Sequence, residues 1–212
     1  FLKGGDMHLK NVKMVVKMMS MLLVATVCCS CAKQSYIDVD YRLPSAADTL
    51  TGRTVFVETL DLRSDTEIFN KRAKEKFEHF TGLFALIIET PDNQQKVLGA
   101  YELPMLFDAA LKQRLKKMGV GITGESSPGV AQFQIRINQF KINLVGQKWM
   151  ADVSYETSLT QDTQLVAREV VTGSAERLKV MGRGGAEKVI GEIFTDMINR
   201  LNIGGLFQQA KR

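Results

Sequence analysis

The sequence predicts an α+β fold, one two-layer domain with a mainly antiparallel sheet and helices packed on one face of it. Three observations carry this. Residues 131 to 181 hold three strand-like stretches in a row, with joins at Gly146-Gln147 and Gln161-Asp162 short enough for hairpins. The segments before and after them carry apolar stripes at helical spacing. All three cysteines, Cys28, Cys29 and Cys31, fall near the N-terminus, so no disulfide can staple the later chain and the domain must stand on its hydrophobic core.

Residues 1 to 30 stand apart from that domain. Lys3, Lys10, Lys13 and Lys17 face a single acid, Asp6, and lead into the apolar run Met18 to Val27. A basic segment followed by an apolar core of about 7–15 residues is a secretory signal, since a spanning helix needs about 20 apolar residues. Phe1 to Asp6 are expected to be translated leader ahead of a start at Met7, because Lys-Gly-Gly-Asp is what a purine-rich ribosome-binding site encodes in frame. Cys31, after Ser30 and before Ala32-Lys33, is placed to take a diacylglycerol on its thiol and to become the new N-terminus after cleavage. Cys28 occupies the position where a lipobox usually has Leu or Val, so Cys28 and Cys29 stay open as alternative lipid sites. Removing residues 1 to 30 leaves 24 basic and 22 acidic residues, a net charge of +2 in place of +5, and gives no indication of nucleic-acid binding.

Residues 31 to 51 are polar and irregular, with Asp38, Asp40, Pro44 and Ser45, and are expected to form a flexible tether reaching roughly 20–25 Å. The folded part is expected over 52 to 205, with a C-terminal tail at 206 to 212. Thr54 to Leu60 predicts a strand, rich in β-branched residues, that leaves through Asp61-Leu62-Arg63-Ser64-Asp65. Ser64 and Glu67 have capping-box spacing, and Phe69, Ala73, Phe77 and Phe80 predict a helix from Thr66 to Phe80 with Lys71, Arg72, Lys74 and Lys76 outward. The apolar run Gly82 to Thr90, the turn Pro91-Asp92-Asn93 and Lys96 to Tyr101 predict a hairpin. Leu103, Leu106, Phe107, Ala110, Leu111, Leu115 and Met118 form the stripe of a second helix, with Lys112, Arg114, Lys116 and Lys117 toward its C-terminal end and Gly119 as its stop.

The three strands then follow at Ala131 to Leu144, Lys148 to Thr160 and Gln164 to Met181. In the first, Phe133, Ile135 and Ile137 change phase to Phe140, Ile142 and Leu144, which predicts a bulge near Asn138-Gln139. In the second, Trp149, Ala151, Val153, Tyr155, Thr157 and Leu159 share an apolar face, and Asp152, Ser154, Glu156 and Ser158 a face turned to water. The closing helix is expected from Ala186 to Leu201, buried through Val189, Ile190, Ile193, Phe194, Met197, Ile198 and Leu201 and ended by Gly204-Gly205.

This order of motifs resembles the YajG-like family of bacterial lipoproteins. The likeness rests on Cys31-Ala32-Lys33, the strand closing in Asp61-Leu62-Arg63-Ser64-Asp65, the helix ending Leu115-Lys116-Lys117-Met118-Gly119-Val120, the strand pairs and the final helix. The segment from Phe69 to Tyr101 is longer than the family's pattern. The resemblance implies an envelope location and a lipid anchor and brings no reaction with it.

The chemistry-bearing residues are few. After position 31 the chain has one histidine, His79, and no cysteine, so a metal site, a cofactor site and a Ser-His-acid triad all lack material, and no G-x-S-x-G elbow is present. Asp61, Arg63 and Asp65 are expected to pair with one another and cap the next helix, and Gly182-Arg183-Gly184-Gly185 to make a tight turn, as it lacks the Lys-Ser/Thr of a phosphate loop. The basic face of Lys71, Arg72, Lys74 and Lys76 is interleaved with Glu75 and Glu78, and Trp149 and Tyr155 fall on the apolar face of their strand. The expectation is therefore a non-enzymatic lipoprotein without cofactor. It is held by the Cys31 lipid, with Ala32 favouring the periplasmic face of the outer membrane, and acts as an envelope accessory or assembly component through a protein partner. The alternative is an auxiliary lipoprotein of a transporter that binds lipid or another apolar ligand in a groove between sheet and helices; a hydrolase ranks below both.

Overall fold

The structure, a computed structural model, describes residues 36–45, 49–90, 92, 94–178 and 184–210, of which 184–186 are described by backbone alone. It is an α+β fold built on two mixed sheets. The strands are β1 (Tyr36–Arg42), β2 (Thr54–Asp61), β3 (Leu83–Glu89), β4 (Gln95–Tyr101), β5 (Gly121–Thr123), β6 (Ala131–Val145), β7 (Lys148–Gln161) and β8 (Gln164–Leu178). The helices are α1 (Lys71–Lys74), α2 (Leu103–Lys117), α3 (Gly184–Arg200) and α4 (Ile203–Gln209). One sheet has the order β1-β3-β4 and the other β5-β2-β6-β7-β8.

The hairpins expected from short joins are antiparallel: β3 with β4, β6 with β7, and β7 with β8. The remaining pairs, β1 with β3, β2 with β5 and β2 with β6, are parallel. Strands joined by a tight turn must run oppositely, whereas strands joined through long intervening chain are free to enter side by side in one direction. That is why the sheets are mixed rather than purely antiparallel, with the longest pairings, β6 with β7 and β7 with β8, antiparallel. The predicted bulge is present as a register shift between Ile137 and Gln139.

Ile37, Val39 and Tyr41 alternate with Asp38, Asp40 and Arg42, and the three apolar residues are buried while their neighbours face outward. This period of two makes Tyr36–Arg42 a strand of the fold and corrects the tether expected over 31 to 51. Leu50 is buried as well, its N–H donating to the Met118 carbonyl at 3.1 Å. Gly119 stops α2 at φ +83°, and a Cβ there would come within 2.7 Å of Thr51 Oγ1.

The helix expected over Thr66 to Phe80 shrinks to the single turn Lys71–Lys74. Residues 68–70 run beside β6 instead, with the Ile142 N–H donating to the Ile68 carbonyl at 2.7 Å and the Asn70 N–H to the Ile142 carbonyl at 3.3 Å. The cap is Asn70, whose Oδ1 accepts from the Ala73 N–H at 2.9 Å, not the expected Ser64 box. At the other end of the chain, Gly204-Gly205 does not end the fold. Asn202 Oδ1 accepts from the Gly205 N–H at 2.9 Å and starts α4, which buries Ile203, Leu206 and Phe207, so part of the expected tail belongs to the core.

All seven residues of the predicted α3 stripe are buried. With α2 they fill the space between the sheets, where Phe107 meets Phe194, Tyr155 and Phe140 at ring distances of 5.2, 5.5 and 6.2 Å.

Candidate functional site

A groove with a volume of about 640 Å³ lies between β1 and α3. Asp38, Asp40 and Arg42 form one wall because they are the outward residues of β1. Glu187, Lys188, Gly191, Glu192, Thr195 and Asn199 form the other because they recur at helical spacing on one side of α3.

β1 is an edge strand of its sheet, and an uncovered edge leaves a row of backbone donors and acceptors unpaired. α3 supplies the missing partners. Thr195 Oγ1 accepts from the Arg42 N–H and donates to the Asp40 carbonyl, both at 3.1 Å, and Asn199 Nδ2 donates to the Arg42 carbonyl at 3.0 Å. Tyr41 Oη donates to Asn199 Oδ1 at 3.0 Å, fixing the amide from inside the core. The polar side chains of the groove floor are therefore occupied in closing the strand edge.

Its rim is charged and of mixed sign. Arg177 pairs with Glu192, and Arg42 with Glu89 at 2.9 Å. Partial burial and the nearby Asp38 and Glu89 raise the Asp40 carboxyl above the usual carboxylate range, with Arg42 opposing them. Among the groove's described lining residues the one hydroxyl, Thr195 Oγ1, is engaged by the β1 backbone. Among the described residues no cluster of His, Cys, Asp and Glu could hold a metal ion.

The structure disperses the residues singled out from the sequence. Cys31, Cys28 and Cys29 lie outside the described residues, as do Gly182 and Arg183, while Gly184 opens α3. His79 is exposed beside Glu78 at 3.5 Å. Arg63 grips Asp61 with two bonds, Nε to Oδ1 at 2.8 Å and Nη2 to Oδ2 at 2.7 Å, and this holds the Asp61 carboxyl below its usual range. Asp65 turns instead to Lys141 on β6, so the three charges brace the exit from β2 and cap no helix. Trp149 and Tyr155 are core residues, 1% and 0% exposed.

Two charged residues have roles the sequence did not signal. Glu156, expected on a solvated face, is 8% exposed and sits between Arg136 at 3.0 Å and Arg168 at 2.5 Å. Arg114, read as one of four cations near the end of α2, is buried and donates to the Ile198 carbonyl and, at 2.7 Å, to the Leu201 carbonyl. It thereby satisfies the C-terminal carbonyls of α3, joined by Tyr155 Oη, which donates to the Met197 carbonyl at 2.9 Å. Burial is the main reason that both tyrosine hydroxyls, Tyr41 and Tyr155, are raised and the Arg114 guanidinium is lowered.

No family model and no curated protein matches this chain. Among solved structures, the chain is similar to a Xanthomonas campestris protein of the DUF330 family, at 11% identity over 84% of this chain and 98% of that one, with a TM-score of 0.52. A minor lipoprotein from Acinetobacter baumannii aligns over 74% of this chain and 95% of that one, at 8% identity and a TM-score of 0.36. At 11% identity the first of these likenesses is one of fold. No helix among the described residues is long and apolar enough to cross a membrane.

Proposed function

We propose that this chain is a lipid-anchored, non-enzymatic protein of the bacterial cell envelope. In this reading Cys31 carries the lipid, with Cys28 and Cys29 as alternative sites, the domain faces the periplasm from the outer membrane, and its work is done through a protein partner. The YajG-like resemblance belongs to the same reading. One observation carries it: β1 begins at Tyr36, so only residues 32 to 35 separate the lipid site from the first strand. A cysteine that ends an export signal and lies directly ahead of a folded domain is where a lipid would fasten that domain to a bilayer.

The auxiliary-lipoprotein alternative asks for an apolar groove between sheet and helices. That space is filled by Phe84, Phe107, Phe140, Tyr155 and Phe194, and the groove beside β1 is rimmed by charge, which favours the partner-binding reading.

The test is intact mass spectrometry of the protein extracted with detergent from its host's membranes. The expected mass is that of the chain from Cys31 plus diacylglycerol. A mass without lipid, or one that retains Met7, overturns the anchor; crosslinking in whole cells that captures no envelope protein overturns the partner.

A further inference from the structure

We infer that the end of the domain at which β1 starts is apposed to the membrane, and that its occupant is the anionic phospholipid headgroup layer holding the Cys31 lipid; the inference rests on the anchor proposed above. Several segments meet at this end. Tyr36 opens β1 and pairs with Leu83. Phe80, just before β3, packs on Phe84 at 5.2 Å. Asn70 Nδ2 donates to the Leu144 carbonyl at 3.2 Å and Phe77 lies 5.8 Å from Trp149, which brings residues 70–80 to the point where β6 turns into β7. β8 ends there too, with Leu178 opposite Lys148.

This end carries exposed apolar tips and unbalanced cations together. Tyr36 is 42% exposed, Val145 54% and Leu178 69%. Lys74 is held by Glu67 and Lys148 by Glu176, whereas Lys71, Arg72 and Lys76 are exposed and have no acidic partner among the described residues. Glu75 and Glu78 are interleaved with them, so the pull on an anionic surface is moderate.

Chain length identifies the occupant. From Cys31 to Tyr36 the backbone spans at most about 18 Å even when fully extended. A lipid at Cys31 therefore keeps this end within a short distance of the headgroups and leaves the far ends of the sheets out of reach. At such an effective concentration a weak contact is enough to orient the domain. Lysine and arginine close to an anionic leaflet contribute roughly fivefold each in affinity, and tyrosine settles at headgroup level.

Hydrogen exchange on the full lipidated chain, in phosphatidylcholine vesicles with and without one-third phosphatidylglycerol, tests this, with intact mass recorded on the same sample. The expected result is slower exchange over residues 70–80 and 145–149 in the anionic vesicles. High salt and the variant K71E/R72E/K76E should remove it, the variant by weakening the apposed state roughly a hundredfold, while core amides report that the fold is intact. A lipidated chain with equal exchange in both vesicles overturns the inference and leaves the anchor standing. A chain without lipid overturns the anchor; its flotation with anionic vesicles, lost in the triple variant, would still uphold the face, and absence of flotation overturns both. Slowed exchange of the same segments in detergent at raised protein concentration would assign the face to a second copy of the chain and overturn the lipid occupant.

Discussion

Gly191 of α3 lies against the backbone of Asp40 in β1 so closely that an added Cβ would stand 3.2 Å from the Asp40 carbonyl oxygen and 3.3 Å from its nitrogen. The absence of a side chain at this position is what lets the helix come near enough for Thr195 and Asn199 to close the strand edge.

Gly191→Val should therefore destabilise the domain by about 1–3 kcal/mol, because backbone cannot yield as a side chain can. Gly191→Ala should cost less, since the better helix propensity of alanine, about 1 kcal/mol, offsets the crowding. Urea unfolding of both variants checks the order, and a valine variant as stable as the parent would refute it.

Asp40 and Asp61 should respond to pH in opposite senses. Burial and acidic neighbours raise the folded pKa of Asp40 above its unfolded value, so its ionised form is unfavourable to folding near neutral pH and the penalty is relieved as pH falls through the folded value. The Arg63 hydrogen bonds lower that of Asp61, which contributes stability above its unfolded pKa that is lost as pH falls through the lowered one. Asp40→Asn should stabilise slightly at neutral pH and Asp61→Asn should destabilise, each by about 0.5 kcal/mol for sites this exposed. Both differences should shrink in the acid range when unfolding is followed against pH.

Asn70 joins two elements with one amide. Its Oδ1 caps α1 and also accepts from the Leu144 N–H at 3.2 Å, while its Nδ2 donates to the Leu144 carbonyl. Asn70→Ala should cost about 2–3 kcal/mol from the lost cap and the unpaired β6 groups. Asn70→Asp keeps the acceptor and should recover part of that, and faster exchange of the Leu144 amide in the alanine variant alone would locate the effect.

Arg114→Met should destabilise by about 2–4 kcal/mol, since the carbonyls of Ile198 and Leu201 lose a buried, charged donor. Arg114→Lys should fall between, having one point charge in place of a fork. Thermal unfolding that placed methionine level with arginine would show these bonds to be energetically idle.

What the sequence disclosed was whatever repeats over short distances. The α3 stripe, the alternation of β7 as far as Tyr155 and the change of phase at Asn138-Gln139 are each complete within a dozen or so residues and appear in the fold, whereas Glu156 and Ser158, expected toward water, are buried. The alternation Ile37-Asp38-Val39-Asp40-Tyr41 is equally local, but Pro44 and the two aspartates give the same segment the composition of a tether. Phe69, Ala73, Phe77 and Phe80 keep helical spacing, yet Phe69 bridges to Ile142, a contact 73 residues away that local spacing cannot report. The groove was hidden for the same reason, since its walls are separated by most of the chain.

The closing of β1 also has an order in time. The Arg42 N–H waits for Thr195, which follows it by 153 residues. Synthesis at about 5–20 residues per second leaves this edge without its cover for roughly 8–30 s after it is made. For that interval the first strand is a template on which a stray strand could pair, and a holding chaperone has a defined segment to protect.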